Sequence, residues 1–200
     1  MRIGIFGGTF DPPHIAHLIV AQQAIQQLHL DAIYFVPAFI PPHKMNRQCT
    51  SAHHRWQMLL KAIRGNAKFH TSNMELKRKG ISYTIDTLHA FKKRFPKSSL
   101  YLILGEDNYH QLHEWRSPQE IRNLTSIAVY RRPGVKEKKA IRNAAAVFLH
   151  GAKFELSSTM IRDRLKRGES IKYLVSPAVE RYIRHRSLYT RGSRKKKAGT

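Results

Sequence analysis

The sequence predicts an α/β fold, with a mainly parallel sheet and helices on both faces. Two observations carry that expectation. Apolar runs of strand length alternate with segments of helical periodicity along most of the chain. Strands separated by helices pair in parallel, and the helices cover both faces of the sheet. The composition agrees, because 200 residues at 42% hydrophobic content are enough for one full core.

The elements follow in order. Strands are expected at residues 2–6, 32–36, 69–72, 100–104, 127–130 and 146–149, most of them short runs of branched or aromatic residues. The first helix places Leu18, Ala21, Ile25 and Leu28 on one face, at spacings of three and four. Further helices fit residues 52–63, 84–94, 117–124, 158–167 and 177–184. Ser117-Pro118-Gln119-Glu120 has the form of a capping box with proline in the first turn. Gly168 stands where it can end the helix before it. No repeat or linker interrupts this run. Residues 1–189 are expected to form a single domain, and 190–200 a basic, disordered tail.

Composition narrows the function classes. No apolar run approaches the roughly 20 residues of a membrane span, and no charged-then-apolar leader precedes the first strand. Cys49 is the only cysteine, so an intrachain disulfide is impossible. A cytoplasmic protein without membrane partners is expected. The net charge of +23 attracts anions such as nucleotides and nucleic acid. Arg191, Arg194, Lys195, Lys196 and Lys197 crowd the tail, where any nucleic-acid contact is expected to be non-specific. The remaining charge is scattered and fits a solvated surface. Nothing in the sequence specifies an oligomeric state.

The most informative stretch is Gly7-Gly8-Thr9-Phe10-Asp11-Pro12-Pro13-His14-Ile15-Ala16-His17. An apolar strand runs into a glycine turn, and two prolines lead into a helix. Gly7 and Gly8 let the backbone approach a ligand, and the helix start favours an anion. Pro13 suits the first helical position. His14 and His17 project from one side of the first turn and can donate to phosphate oxygens. Alone, two histidines at this spacing also fit a helix surface, or half of a zinc site that no nearby Cys or carboxylate cluster completes. Neither the P-loop pattern nor Gly-x-Gly-x-x-Gly is present.

The second informative stretch is Leu156-Ser157-Ser158-Thr159-Met160-Ile161-Arg162. Hydroxyl residues opening a helix can simply cap it. With Arg162 one turn later they can instead form a second phosphate cradle, because a guanidinium fork matches phosphate oxygens. His53-His54 and His110 with His113 and Glu114 lack the further ligands of a metal site, and Cys49 has no evident base beside it.

Residues 7–17 resemble the signature of the HxGH nucleotidylyltransferase superfamily, with Ala16 at the glycine between the histidines. Residues 156–162 resemble its Ile-Ser-Ser-Thr-x-Ile-Arg motif, with Leu156 for isoleucine. Middle segments resemble one branch, the bacterial nicotinate-nucleotide adenylyltransferases. They are residues 37–44, Tyr83-Thr84-Ile85-Asp86-Thr87-Leu88, Leu104-Gly105-Glu106-Asp107, Trp115-Arg116 and Arg132-Pro133-Gly134. Residues 173–177, Val179, Tyr182-Ile183 and Leu188-Tyr189 extend the likeness to nearly the whole folded chain.

The resemblance implies a Rossmann-like fold and adenylyl transfer from ATP to nicotinate mononucleotide, giving deamido-NAD and pyrophosphate. His14, His17 and Arg162 would be catalytic. Gly7, Gly8, Thr9, Phe10, Gly105, Ser157, Ser158 and Thr159 would join them in binding ATP. Lys44, Thr84, Asp107, Trp115 and Arg132 would bind the mononucleotide. Mg²⁺ would arrive with ATP and be held mainly through phosphates rather than by protein ligands. Nicotinamide mononucleotide and phosphopantetheine are rival acceptors for the same chemistry. A basic nucleic-acid-binding protein on a nucleotide-binding fold is the rival from another class.

Overall fold

The computed structural model describes residues 1–41, 49–131, 146–151 and 155–190. Lys44, Arg132 and the tail 191–200 lie outside the described residues. Six strands form one sheet: β1 (Arg2–Gly8), β2 (Ala32–Pro37), β3 (Phe69–Thr71), β4 (Ser99–Gly105), β5 (Ser126–Tyr130) and β6 (Ala146–Leu149). Their order is β3-β2-β1-β4-β5-β6, and every neighbouring pair is parallel. The helices are α1 (Ile15–Leu28), α2 (Ala52–Ile63), α3 (Met74–Arg78), α4 (Thr84–Arg94), α5 (Glu106–His110), α6 (Pro118–Leu124), α7 (Ser158–Lys166) and α8 (Pro177–His185).

Alternation along the strands sorts side chains to the two faces. Ile33 and Phe35 of β2, with Ile103 and Ala128, pack against Val20, Ala24 and Leu28 of α1 and Leu59 of α2. On the other face Ile3, Ile5, Val36, Leu102, Leu104 and Val129 meet Ile85, Leu88 and Phe91 of α4 and Ile121 of α6. Each fully buried Val, Leu, Ile or Phe side chain among them contributes roughly 1.5–3 kcal/mol. A third cluster joins Met58 of α2 to Ile161 of α7 and to Val179 and Ile183 of α8. That cluster carries the C-terminal helices against the domain.

The expected fold is present, with helices on both faces. The expected strands appear within a residue or two of their bounds, and so do the longer helices. The sequence reading missed α3 and α5, since five residues are too few for a helical period to show. The capping box at residue 117 is absent. Ser117 is left-handed, at φ +53°, and its side chain caps nothing, whereas Ser176, also followed by proline, is extended and accepts from the Val179 N–H. Glu120 instead meets His89 at 2.8 Å. Gly168 follows α7 at φ +78°, a left-handed position natural to glycine.

β1 and β4 lie side by side while their crossovers leave in opposite directions along the sheet. That is a topological switch point, and the crevice beyond the carboxyl ends of such strands is where α/β sheets bind ligands. Gly7 and Gly8 end β1 and Gly105 ends β4 at this crevice.

Candidate functional site

A cleft of 2330 Å³, lined by described residues, opens there. Gly7, Gly8, Thr9, Phe10, His14, His17, Thr84, Trp115, Ser157, Ser158, Thr159 and Arg162 all line it. Folding therefore gathers residues more than 150 positions apart. Gly105 and Asp107 are not among the lining residues. Gly105 lies behind the wall, where an added Cβ would stand 3.1 Å from the hydroxyl oxygen of Tyr130. Asp107 is exposed, and Asn108 lines the cleft beside it.

The glycine turn is built differently from expectation. Gly7 and Gly8 are still strand, paired with Val36 and Pro37. The left-handed residue that turns the chain is Phe10, at φ +49°. Gly8 is required by closeness rather than by its dihedral angles, since a Cβ there would meet the Phe10 ring at 3.0 Å. Phe10 is buried edge-on against His17, with ring centroids 5.0 Å apart.

Pro13 is not the first helical residue. His14 is the N-cap and α1 begins at Ile15. The backbone N–H of Ile15 donates to the carbonyl of Leu174 at 3.0 Å, so this helix start is partly satisfied by the protein itself. The His14 and His17 rings stack at 3.7 Å. The His14 N–H donates to His17 Nδ1 at 3.1 Å. An accepting Nδ1 places the His17 proton on Nε2, which makes Nε2 a donor. Ala16 is buried and is not among the residues that line the cleft.

The second motif docks directly onto the first. Ser157 caps α7 by accepting from the Met160 N–H at 3.2 Å. The Ser158 hydroxyl donates to the Pro12 carbonyl at 2.8 Å. Arg162 donates through Nη1 to the Asp11 carbonyl at 2.8 Å and through Nη2 to Thr159 Oγ1 at 3.1 Å. A guanidinium has five N–H donors, so Arg162 can brace the first motif and still offer donors to a ligand.

Asp11, in the heart of the first motif, has a role the sequence reading did not assign. Its buried carboxylate accepts from the Thr50 N–H at 3.1 Å and from the Tyr189 hydroxyl at 2.6 Å. Burial, with the Asp11 charge beside it, pushes the Tyr189 phenol far above its ordinary range, so it stays a donor. Arg55 was missed altogether. It is 2% exposed and donates to the carbonyls of Thr9, Ala38, Phe39 and Thr50. A signal existed: Arg55, Met58, Leu59 and Ala62 share one helical face, so a cation stands in an apolar stripe.

At the other end, Thr84 is the first residue of α4, and Tyr83 is the N-cap. The Arg116 guanidinium lies over the Tyr83 ring at 4.9 Å, which joins the Trp115 segment to the start of α4. Beneath them is the buried Glu75, whose Oε1 accepts from the Thr87 hydroxyl at 2.5 Å. Burial raises the Glu75 carboxyl above its ordinary value, opposed by hydrogen bonds from Thr87 and Ser82.

Among the described residues, no three His, Cys, Asp or Glu side chains gather as a metal site. His54 bonds Tyr182 through Nδ1 at 2.8 Å, and His113 bonds the His110 carbonyl. No helix of the described residues is long and apolar enough to cross a membrane.

Comparison with known proteins gives concordant results. The cytidylyltransferase-like family model matches residues 5–164. The nicotinate-nucleotide adenylyltransferase of Bacillus subtilis is 40% identical over 188 residues, 94% of this chain and 98% of that protein. The solved nicotinic acid mononucleotide adenylyltransferase of Plasmodium falciparum, complexed with NaAD, shares the fold. Its TM-score is 0.80 at 22% identity, over 94% of this chain and 97% of that one. A second structure of that enzyme, complexed with APC, aligns with a TM-score of 0.79, 22% identity and coverage of 94% and 96%.

Proposed function

Because this chain belongs to the cytidylyltransferase-like family, and within it to the nicotinate-nucleotide adenylyltransferases, we infer that it transfers an adenylyl group from ATP to nicotinate mononucleotide. The products are deamido-NAD and pyrophosphate, so the enzyme serves NAD synthesis. The observation that carries the reading is the docking of the two phosphate motifs. Arg162 reaches Asp11, and Ser158 reaches Pro12, across one cleft at the switch point of the sheet.

A phosphate oxygen of the mononucleotide attacks the α-phosphorus of ATP. The bond from that phosphorus to the bridging oxygen breaks, and pyrophosphate leaves with the electron pair. No protein nucleophile is required, and catalysis is positioning with charge stabilisation. The His17 Nε2–H and the neighbouring His14 offer hydrogen bonds to the triphosphate as charge shifts toward the leaving group. Arg162, with Ser158 and Thr159, holds the departing pyrophosphate. Thr84 and the start of α4 suit the nicotinate carboxylate, and Trp115 offers a stacking face for the pyridine ring. Lys44 and Arg132 are assigned to acceptor phosphate by resemblance alone.

Mg²⁺ fits this site as a companion of ATP. Of the carboxylates that line the cleft, Asp11 and Glu75 are engaged with Thr50, Tyr189 and Thr87, and the exposed Glu114 lies 3.6 Å from His113, without the further ligands of a metal site. The remaining donors suit phosphate, so the cation would be held on phosphate oxygens. There it would neutralise charge on the triphosphate.

The deciding assay incubates the protein with ATP, Mg²⁺ and each mononucleotide in turn and follows pyrophosphate. Release with nicotinate mononucleotide is expected. Release only with phosphopantetheine or nicotinamide mononucleotide would reassign the acceptor, and none at all would remove the reading. The cytosol is the compartment that suits this chemistry and the single cysteine. The five basic residues of the tail add a salt-sensitive attraction for polyanions, tested by binding to RNA with and without residues 191–200 at two ionic strengths.

A further inference from the structure

Arg55 is a buried cation whose hydrogen bonds, among the described residues, go to backbone carbonyls. Its four carbonyl partners belong to three separate chain segments. Nη1 donates to Thr9 at 3.0 Å and to Ala38 at 2.6 Å, Nη2 to Phe39 at 3.2 Å, and Nε to Thr50 at 2.9 Å. A planar guanidinium can donate in several directions at once, which an ammonium cannot do with the same geometry. Burial lowers the Arg55 pKa, and the nearby Asp11 charge opposes that shift.

The segments it joins belong to different ends of the cleft. Thr9 lies in the phosphate motif. Ala38 and Phe39 follow β2 and lead toward the acceptor end. There the Phe39 N–H donates to Ser82 Oγ at 2.9 Å, and the Ser82 N–H donates to the Ile40 carbonyl at 2.9 Å. Ser82 stands two residues before Thr84. A chain of hydrogen bonds therefore runs from the ATP motif through Arg55 to the start of α4.

We propose that Arg55 is a positioning residue that sets the separation between the ATP motif and the acceptor wall. This inference rests on the adenylyl-transfer reading. In-line attack needs the acceptor phosphate and the α-phosphorus in near-attack placement. Each substrate is gripped locally at its own end, so a change in separation spares binding and slows chemistry. A misplacement of about 1 Å costs about 10² in rate.

The test compares wild type with Arg55→Lys and Ser82→Ala in steady-state kinetics, with thermal unfolding to confirm folding. Arg55→Lys keeps the charge and loses the fork, and kcat is expected to fall about 10²-fold. Both KM values should stay within about threefold, because no uniform binding is removed. Ser82→Ala removes the Phe39 N–H to Ser82 Oγ link outside Arg55 and keeps the backbone bond to Ile40, so it should show the same split with a smaller fall. If Arg55→Lys does not fold, Ser82→Ala carries the test. Unchanged kcat in folded variants of an active enzyme overturns the positioning role alone, and so does a loss lying wholly in KM. An inactive wild type removes the adenylyl-transfer reading, and this role with it.

Discussion

The two ends of the cleft are built in contrasting ways. The end we assign to the triphosphate comes from two short contiguous motifs, residues 7–17 and 156–162, locked together by hydrogen bonds of 2.8 Å. The end we propose for the acceptor is assembled from single residues on separate elements, Thr84 on α4 and Trp115 before α6, with the buried Glu75 beside them in the cleft wall. A triphosphate is bound through backbone groups and helix starts, which a contiguous motif can encode. A planar ring with a carboxylate needs walls from several directions, which only packing supplies.

The sharpest break between the two ends should come from His17→Ala and His14→Ala. Each removes a donor at the phosphate end and should lower kcat by about 10²–10³ while acceptor choice is kept. Near-normal turnover in both would leave the stacked pair without a catalytic role. Single-turnover rates with a folding check by circular dichroism decide it.

Next in size is acceptor choice, which belongs to the other end. The nicotinate carboxylate is an anion and the amide is neutral. With Thr84 and the start of α4 against the ring substituent, kcat/KM for the acid should exceed that for the amide by at least about 10². Thr84→Val should narrow that ratio with little change in the KM for ATP. Equal use of both acceptors by the wild type would show that the acceptor end does not discriminate.

Arg162→Lys should cost about tenfold in kcat/KM, with a raised KM for ATP, because lysine cannot brace Asp11 and grip phosphate together. Wild-type kinetics would reduce Arg162 to a surface cation.

Two smaller effects compare the supports beneath each end through stability. Tyr189→Phe leaves the buried Asp11 carboxylate short of a donor and should cost about 2 kcal/mol, seen as a lower Tm. Glu75 under the acceptor end behaves oppositely. Its carboxyl titrates above the ordinary value of 4.5 because burial disfavours the anion. The folded state therefore holds the proton more tightly than the unfolded state. The Glu75 contribution is most favourable below pH 4.5 and declines as pH rises to the folded-state pKa. Glu75→Gln should remove that decline and flatten Tm against pH over this window. An unchanged pH profile would show that Glu75 is not the group responsible.

Much of this molecule is determined by the sequence alone. Strand and helix positions follow from hydrophobic period, a local property, and so most bounds agree within two residues. Both phosphate motifs are contiguous and equally local. The lengths of α3 and α5 fall below what a period can reveal. The left-handed turn falls on Phe10 rather than on glycine, and Gly8 leaves the room that the Phe10 ring then fills. Ser117-Pro118 and Ser176-Pro177 look alike locally, yet only Ser176 caps its helix, because Ser117 is left-handed and Ser176 extended. Tertiary structure alone decided the rest. It placed the motifs at the switch between β1 and β4, turned Ser158 and Arg162 onto the backbone of Asp11 and Pro12, and left Asp107 outside the cleft. It also set Arg55 among four carbonyls from three segments. The physical reason is that a hydrogen bond between distant residues depends on the packing that brings them together, and no local pattern in the chain records which carbonyl will stand within 3 Å of a given donor.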